Sequence, residues 1–149
     1  MAPLSISFKN GHFEIVKFLL ENGADLNIQN NQQAIPRWLA SFNGYFKIAK
    51  LLIAKGANLD IANIDSITPL WIATSRQSTN IVYLLISNGA NVNITDYYNK
   101  SPLWIATRLC NFDLIKILVS NGANISKDIN NSPLSLAFTM GYSEIVFNI

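Results

Sequence analysis

Asn88-Gly89-Ala90-Asn91-Val92-Asn93 is one of four copies of a phrase that returns at a constant interval. The others are Asn22-Gly23-Ala24-Asp25-Leu26-Asn27, Lys55-Gly56-Ala57-Asn58-Leu59-Asp60 and Asn121-Gly122-Ala123-Asn124-Ile125-Ser126. Their glycines stand at 23, 56, 89 and 122, each 33 residues from the next. Self-similarity at such a period marks a stacked repeat. A module of this size buries its apolar faces only against its neighbours, so the chain reads as a solenoid, and solenoids mostly bind other molecules.

The rest of the module follows from that register. A proline stands 20 residues before each glycine, at Pro3, Pro36, Pro69 and Pro102, and Pro133 opens a fifth unit after a connection two residues shorter. The fuller copies are Thr68-Pro69-Leu70-Trp71-Ile72-Ala73 and Ser101-Pro102-Leu103-Trp104-Ile105-Ala106. A hydroxyl followed by proline begins a helix, because the oxygen accepts from first-turn amides and proline at the first position has no amide to leave unpaired. A second helix is expected over Glu14-Ile15-Val16-Lys17-Phe18-Leu19-Leu20 and over Ile81-Val82-Tyr83-Leu84-Leu85-Ile86. Its apolar residues exceed what one amphipathic stripe needs, so it packs on more than one side. It ends at a glycine suited to the left-handed conformation past a helix C-terminus. The segment Val92 to Lys100 carries β-branched and turn-forming types and reads as an extended finger with a tight turn.

With these elements in place the chain resembles the ankyrin repeat family. That family's unit has a Thr-Pro-Leu-His start, a Gly-His junction and a Gly-Ala-Asp-Val-Asn exit. The stretch from Gly11-His12-Phe13-Glu14 to Gly23-Ala24-Asp25-Leu26-Asn27 follows the pattern almost throughout. The resemblance implies an all-α solenoid of about five helix-turn-helix units with β-hairpin fingers. It makes residues 1–149 a single domain with repeats near 1–29, 30–62, 63–95, 96–126 and 127–149, the first and last incomplete. Two departures stand out. Trp38, Trp71 and Trp104 replace the family's histidine, and Gln33, Ser66, Asn99 and Asn130 replace the finger-turn glycine. Asparagine tolerates positive φ best of these, so the fingers holding Gln33 and Ser66 are expected to be the less regular ones. The tryptophans recur at one position, which favours a structural role between helix and adjacent finger over a place on the groove floor. Either way each indole N–H is expected to find an acceptor.

Composition sets limits on chemistry. Half of the 149 residues are hydrophobic, enough for a continuous core, while only 13% are charged and the formal net charge is +2. No apolar run reaches the ~18 residues that cross a bilayer, and the start lacks the basic head and apolar stretch of a secretory signal. An intracellular, cytoplasmic chain without membrane insertion is the expectation. Cys110 is the single cysteine, so no internal disulfide or cysteine-based zinc site can form within one chain. It fills the slot of Gly11, Gly44 and Gly141 and is expected to be a small buried residue. His12 is the only histidine, and without carboxylate or cysteine company it makes a poor metal ligand or base. The resemblance places it at the packing and hydrogen-bonding junction. The glycines are used at helix exits and junctions, leaving no phosphate-binding loop, and the acids are dispersed. No enzyme activity, cofactor or metal is expected. Lys17, Lys47, Lys50, Lys55 and Lys116 fall on second helices or their junctions, which the family turns outward, so no phosphate-binding surface and no nucleic-acid partner is expected.

What remains is recognition of a protein or peptide. In ankyrin arrays the finger tips and the exposed faces of first helices line a concave groove, so binding positions are those in the groove that differ between copies. On the fingers these include Ile64, Asp65, Ile67, Tyr97, Tyr98 and Lys100. At the ends of first helices they include Phe42, Arg76, Arg108 and Leu109. Aromatic and arginine side chains most often dominate binding energy, which puts Phe42, Arg76, Tyr97, Tyr98 and Arg108 first. For the tyrosines the alternative is packing along the neighbouring finger, and for Phe42 it is closure of the helix junction. A second reading keeps the fold and makes it a substrate-adaptor or regulatory segment of a larger protein, such as a ubiquitin-ligase adaptor, kinase, channel or secreted effector. A third is end-to-end self-association, since Ile145, Val146, Phe147 and Ile149 give the C-terminal unit an apolar face where finished arrays carry polar caps. Of the two readings of this apolar end, a segment of a longer array is the one favoured.

Overall fold

A computed structural model describes residues 6–7, 10–25, 36–125 and 132–141. Among them eight α-helices have defined bounds: α1 (Phe13–Glu21), α2 (Pro36–Asn43), α3 (Phe46–Ala54), α4 (Pro69–Ser75), α5 (Thr79–Ser87), α6 (Pro102–Arg108), α7 (Phe112–Ser120) and α8 (Pro133–Thr139). Ile6, Ser7 and Asn10 are helical as well. First helices begin where the hydroxyl-proline pairs place them. Thr68, Ser101 and Ser132 cap α4, α6 and α8, each accepting from the amide three residues on, Trp71, Trp104 and Ser135. Second helices end two residues before the glycine of the recurring phrase, and Gly23, Gly56, Gly89 and Gly122 all have positive φ.

The helices form two rows. α2, α4, α6 and α8 pack in sequence in one row, α1, α3, α5 and α7 in the other, and the first helices α2, α4 and α6 each pack on the second helix that follows. The interior between the rows is apolar and closed: Ile48, Leu52, Leu70, Ile81, Leu85, Leu103, Leu114 and Leu118 are all fully buried. Successive units share their buried side chains: α1, α2 and α3 enclose one cluster and α4 to α8 a second, with Ile53 of α3 packed against the second and Leu84 of α5 against the first. An all-helical stack of this kind needs few side chains bonded to each other. It is joined instead by side-chain to backbone bonds between units: Asp60 Oδ1 accepts from the Asn91 amide at 3.0 Å, and Asn93 Oδ1 from the Asn124 amide at 2.7 Å.

Three expectations need correction. Cys110 is exposed, because its slot is a left-handed turn between helices with the side chain directed outward. Gly11, Gly44 and Gly141 hold φ near +70° there, and Gln77 and Cys110 adopt φ +56° and +53°. A Cβ at Gly11 would come within 2.7 Å of the Tyr45 ring, so in that copy space disfavours a side chain, whereas φ alone does not exclude one, as Gln77 and Cys110 show. His12 is exposed, and no side-chain bond from it caps α1. The finger containing Ser66 is as regular as the one containing Asn99. Ser66 and Asn99 have φ +60° and +57°, and each turn is closed by the same bonds, Asn63 N–H to Ile67 O and Asp96 N–H to Lys100 O. The Gln33 and Asn130 fingers lie outside the described residues. Among the described residues the fingers contain turns and no strand, because pairing stops after the residues that flank each turn.

The repeat exposes one local defect. Thr74 and Thr107 are buried and donate their hydroxyls to Leu70 O and Leu103 O at 2.9 Å. Ser41 occupies the same position in α2, is 1% exposed, and its Oγ has no hydrogen-bond partner. A buried hydroxyl without a partner costs about 1–3 kcal/mol. Ser41→Ala is therefore expected to raise stability by about 1 kcal/mol, after allowing for the small void left by the oxygen. The check is the denaturant midpoint at unchanged slope, and a lower midpoint would count against it.

Candidate functional site

Among the described residues, the finger turns holding Ser66 and Asn99 are each built around one side chain. Asp96 Oδ1 accepts from the amides of Tyr98 and Lys100 at 2.9 and 2.8 Å. One unit earlier Asn63 Oδ1 accepts from Asp65 and Ile67 at 3.0 and 2.9 Å. Short polar side chains favour such turns because they bond the backbone two residues on. Neighbouring fingers are tied by the Tyr97 amide donating to Asp65 O at 3.1 Å. The Trp71 indole of α4 donates from Nε1 to Lys100 O at 2.9 Å, fastening one unit's first helix to the next unit's finger.

These ties leave two adjoining depressions on the finger side. The first, of about 490 Å³, is lined by Ile64, Asp65, Ile67, Trp71, Asp96, Tyr97 and Tyr98. The second, of about 270 Å³, is lined by Trp71, Ser75, Asp96, Tyr98, Lys100, Trp104, Ile105, Arg108 and Leu109. Trp71, Asp96 and Tyr98 belong to both, so the two form one trough running from unit to unit. Tyr97 and Tyr98 are 76% and 73% exposed, with their rings edge to face at 5.5 Å. Two cations stand over one indole: Lys100 Nζ lies 4.4 Å and Arg108 Cζ 5.6 Å from the Trp104 ring centre. An aromatic face attracts cations through its quadrupole, which explains why both side chains settle there despite their like charge. The first depression is thus apolar and aromatic with Asp65 and Asp96 in its lining, and in the second Asp96 is joined by Lys100 and Arg108 beside Trp71 and Trp104.

Eight of the residues chosen from the sequence line this trough. Phe42 and Arg76 do not. The Arg76 guanidinium lies 4.7 Å above the Phe42 ring, and Phe42 is half-buried against Ile72 beside Ile61, Ile67 and Trp71. Ser75, also a groove position at the end of a first helix, lines the trough too, whereas Trp71, Trp104, Ile105 and Asp96 line it but were absent from that choice. The periodicity of the tryptophans pointed to a structural role, and Trp71 has one through its indole N–H while its ring is also floor. The Trp38 side chain lies outside the described residues.

Among the described residues no three His, Cys, Asp or Glu side chains gather where a metal ion could sit, and no helix is long and apolar enough to cross a membrane. No curated protein matches the chain. Against known families, residues 37–129 match ankyrin repeats in three copies and residues 1–31 match an ankyrin repeat. Repeats of this kind are generally protein–protein interaction modules. The two rows of helices, the recurring turn at each junction and these matches agree: the chain belongs to the ankyrin-repeat family.

Proposed function

We propose that the trough over Trp71, Tyr98 and Trp104 binds an extended segment of a partner protein. The supporting observation is that most of its lining side chains change from unit to unit, Ile64 to Tyr97, Asp65 to Tyr98, Ile67 to Lys100 and Ser75 to Arg108, beside the repeated Trp71 and Trp104. Ile64, Ile67 and the two tyrosines offer apolar area to a side chain entering the first depression. Lys100 and Arg108 face a carboxylate entering the second, and a cation already seated on an aromatic ring loses little freedom when it pairs. The segment thus presents an apolar residue followed by an acidic one. The domain works by binding, as five repeats with a concave face of finger tips and first helices, in an intracellular setting and without cofactor.

Capture with the intact chain beside a Tyr97→Ala, Tyr98→Ala, Arg108→Ala variant tests this. All three side chains are exposed, so the fold is expected to survive. Truncating anchors of this type costs about 2 kcal/mol or more, a loss of at least about thirtyfold in affinity. Partners retained equally by both chains would remove the trough from consideration.

A further inference from the structure

Two successive units use the same tryptophan position differently. Over Trp104 stand two cations of the chain itself, Lys100 Nζ at 4.4 Å and Arg108 Cζ at 5.6 Å from the ring centre. The residues 33 positions before them are Ile67 and Ser75, so the unit of Trp71 supplies no base at the two places that serve Trp104. Trp71 instead meets Tyr97, Tyr98, Asp65 and Asp96 in the first depression. Among the described residues that lining holds two acids and no base.

Its rings are set for a cation from outside. Tyr97 and Tyr98 stand at 88° to one another with centres 5.5 Å apart, as two walls of a corner do, and at 76% and 73% exposure little of either ring is used in packing. The Trp71 indole is held in place by its bond to Lys100 O at 2.9 Å. Aromatic faces attract cations through their quadrupole, and several rings together suit an alkylated ammonium. Ile64 and Ile67 in the same lining narrow the choice. An unsubstituted ammonium is compact and strongly hydrated, and isoleucine offers nothing in place of its lost water. Methylation keeps the charge and removes N–H donors that burial would leave unpaired.

We propose that the residue entering the first depression is a lysine methylated at Nζ, its methyl-bearing ammonium seated among Trp71, Tyr97 and Tyr98. This rests on the reading of the trough as the seat of an extended segment and specifies the residue that meets its apolar wall: apolar in surface, positive in charge. The occupant is a peptide and not a free quaternary ammonium compound, because the trough continues from this corner to Lys100 and Arg108, which face an acidic residue of the same segment. Adjacent first helices lie roughly 8–10 Å apart, about three residues of extended chain.

The probes are peptide pools with one fixed lysine, an acidic residue three positions on and all else varied. They are made with lysine, with Nζ-trimethyl-lysine and with a neutral analogue carrying carbon in place of that nitrogen. The intact chain is expected to bind the trimethylated pool at least about tenfold more tightly than either other pool, and tetramethylammonium is expected to compete far more weakly. Tyr97→Leu with Tyr98→Leu keeps apolar area and removes ring faces at exposed positions; it is expected to bring the three pools within about twofold, with helix content checked by circular dichroism. Tyr98→Phe is expected to keep the preference. Should the double variant unfold, Asp65→Asn, also at an exposed position, is expected to weaken the trimethylated pool and leave the neutral one unchanged. Equal binding of the three pools, tighter binding of the neutral one, no binding by any, or a preference that survives loss of both rings would each overturn the proposal. Arg108→Ala separates it from the reading it rests on. Binding that lacks the methyl preference but weakens in Arg108→Ala removes the methylated lysine and keeps the trough; binding indifferent to Arg108→Ala and to the tyrosines removes both.

Discussion

Leu85→Ala is expected to destabilise the chain by about 3 kcal/mol, within the 2–5 kcal/mol usual for removing a buried leucine side chain. Leu85 is 1% exposed and sits in α5, which packs on α3 on one side, on α7 on the other and on α4 across the rows. A helix held from three directions cannot settle into the space a deleted isobutyl group leaves, so the cavity cost adds to the lost transfer energy. For a chain of this length the change corresponds to roughly 6–12 °C in melting temperature. Tyr83, two residues away on the same helix and 65% exposed, supplies the control: Tyr83→Ala is expected to stay within about 0.5 kcal/mol. Because stability in a stacked array is a sum of unit and interface contributions, Leu85→Ala also weakens both interfaces of α5 at once, and the unfolding transition broadens. A loss below about 1 kcal/mol would mean that α5 does not share its core with both neighbours.

The helix pattern was legible because it rests on residues with narrow conformational preferences. Pro69, Pro102 and Pro133 each occupy the first turn of a helix, and the glycines of the recurring phrase take the left-handed turn that ends one. Legibility failed where several residue types can meet the same demand. Gln77 and Cys110 adopt the left-handed conformation in a slot that glycine fills elsewhere, and nothing in a cysteine signals that it will stand exposed at a turn. Gln77 has a local reason to be there, since its Oε1 accepts from Asn111 Nδ2 at 3.0 Å. The trough was half legible for a different reason. Residues that vary between units, such as Tyr98 and Arg108, announce themselves, but in a solenoid a repeated position can serve stacking with one edge and line the surface with the other. Trp71 does both, so an argument from periodicity alone sorts it to one side only. Ile15 shows the limit most simply: it has the same chemistry as Ile48 and Ile81, yet it is exposed where they are buried, α1 being the first helix of its row among the described residues.

Asp96→Ala is expected to cost about 2 kcal/mol of stability and to weaken partner binding with it. The carboxylate accepts from two amides, Tyr98 and Lys100, and bonds to a charged acceptor contribute about 1.5–3 kcal/mol each when sheltered. Asp96 is only half-buried, so solvent screening reduces that sum and water replaces part of what is lost. The consequence for the trough is larger than the stability change implies. Lys100 O is the acceptor for the Trp71 indole, Lys100 Nζ stands over Trp104, and Tyr98 lines both depressions; all three depend on the turn that Asp96 closes. The neighbouring finger provides the decisive comparison. There Asn63 performs the same task through a neutral amide oxygen, with bonds of 3.0 and 2.9 Å. Asp96→Asn is therefore expected to retain most of the stability and the binding, within about 0.5–1 kcal/mol of the parent, since a neutral acceptor forms a weaker bond in the same geometry. Equilibrium unfolding and affinity for a captured partner, measured on both variants, separate the two contributions. If asparagine lost as much as alanine, the carboxylate's charge and not its hydrogen-bond geometry would be what holds the finger, and the trough's shape would follow from electrostatics between Asp96, Lys100 and Arg108.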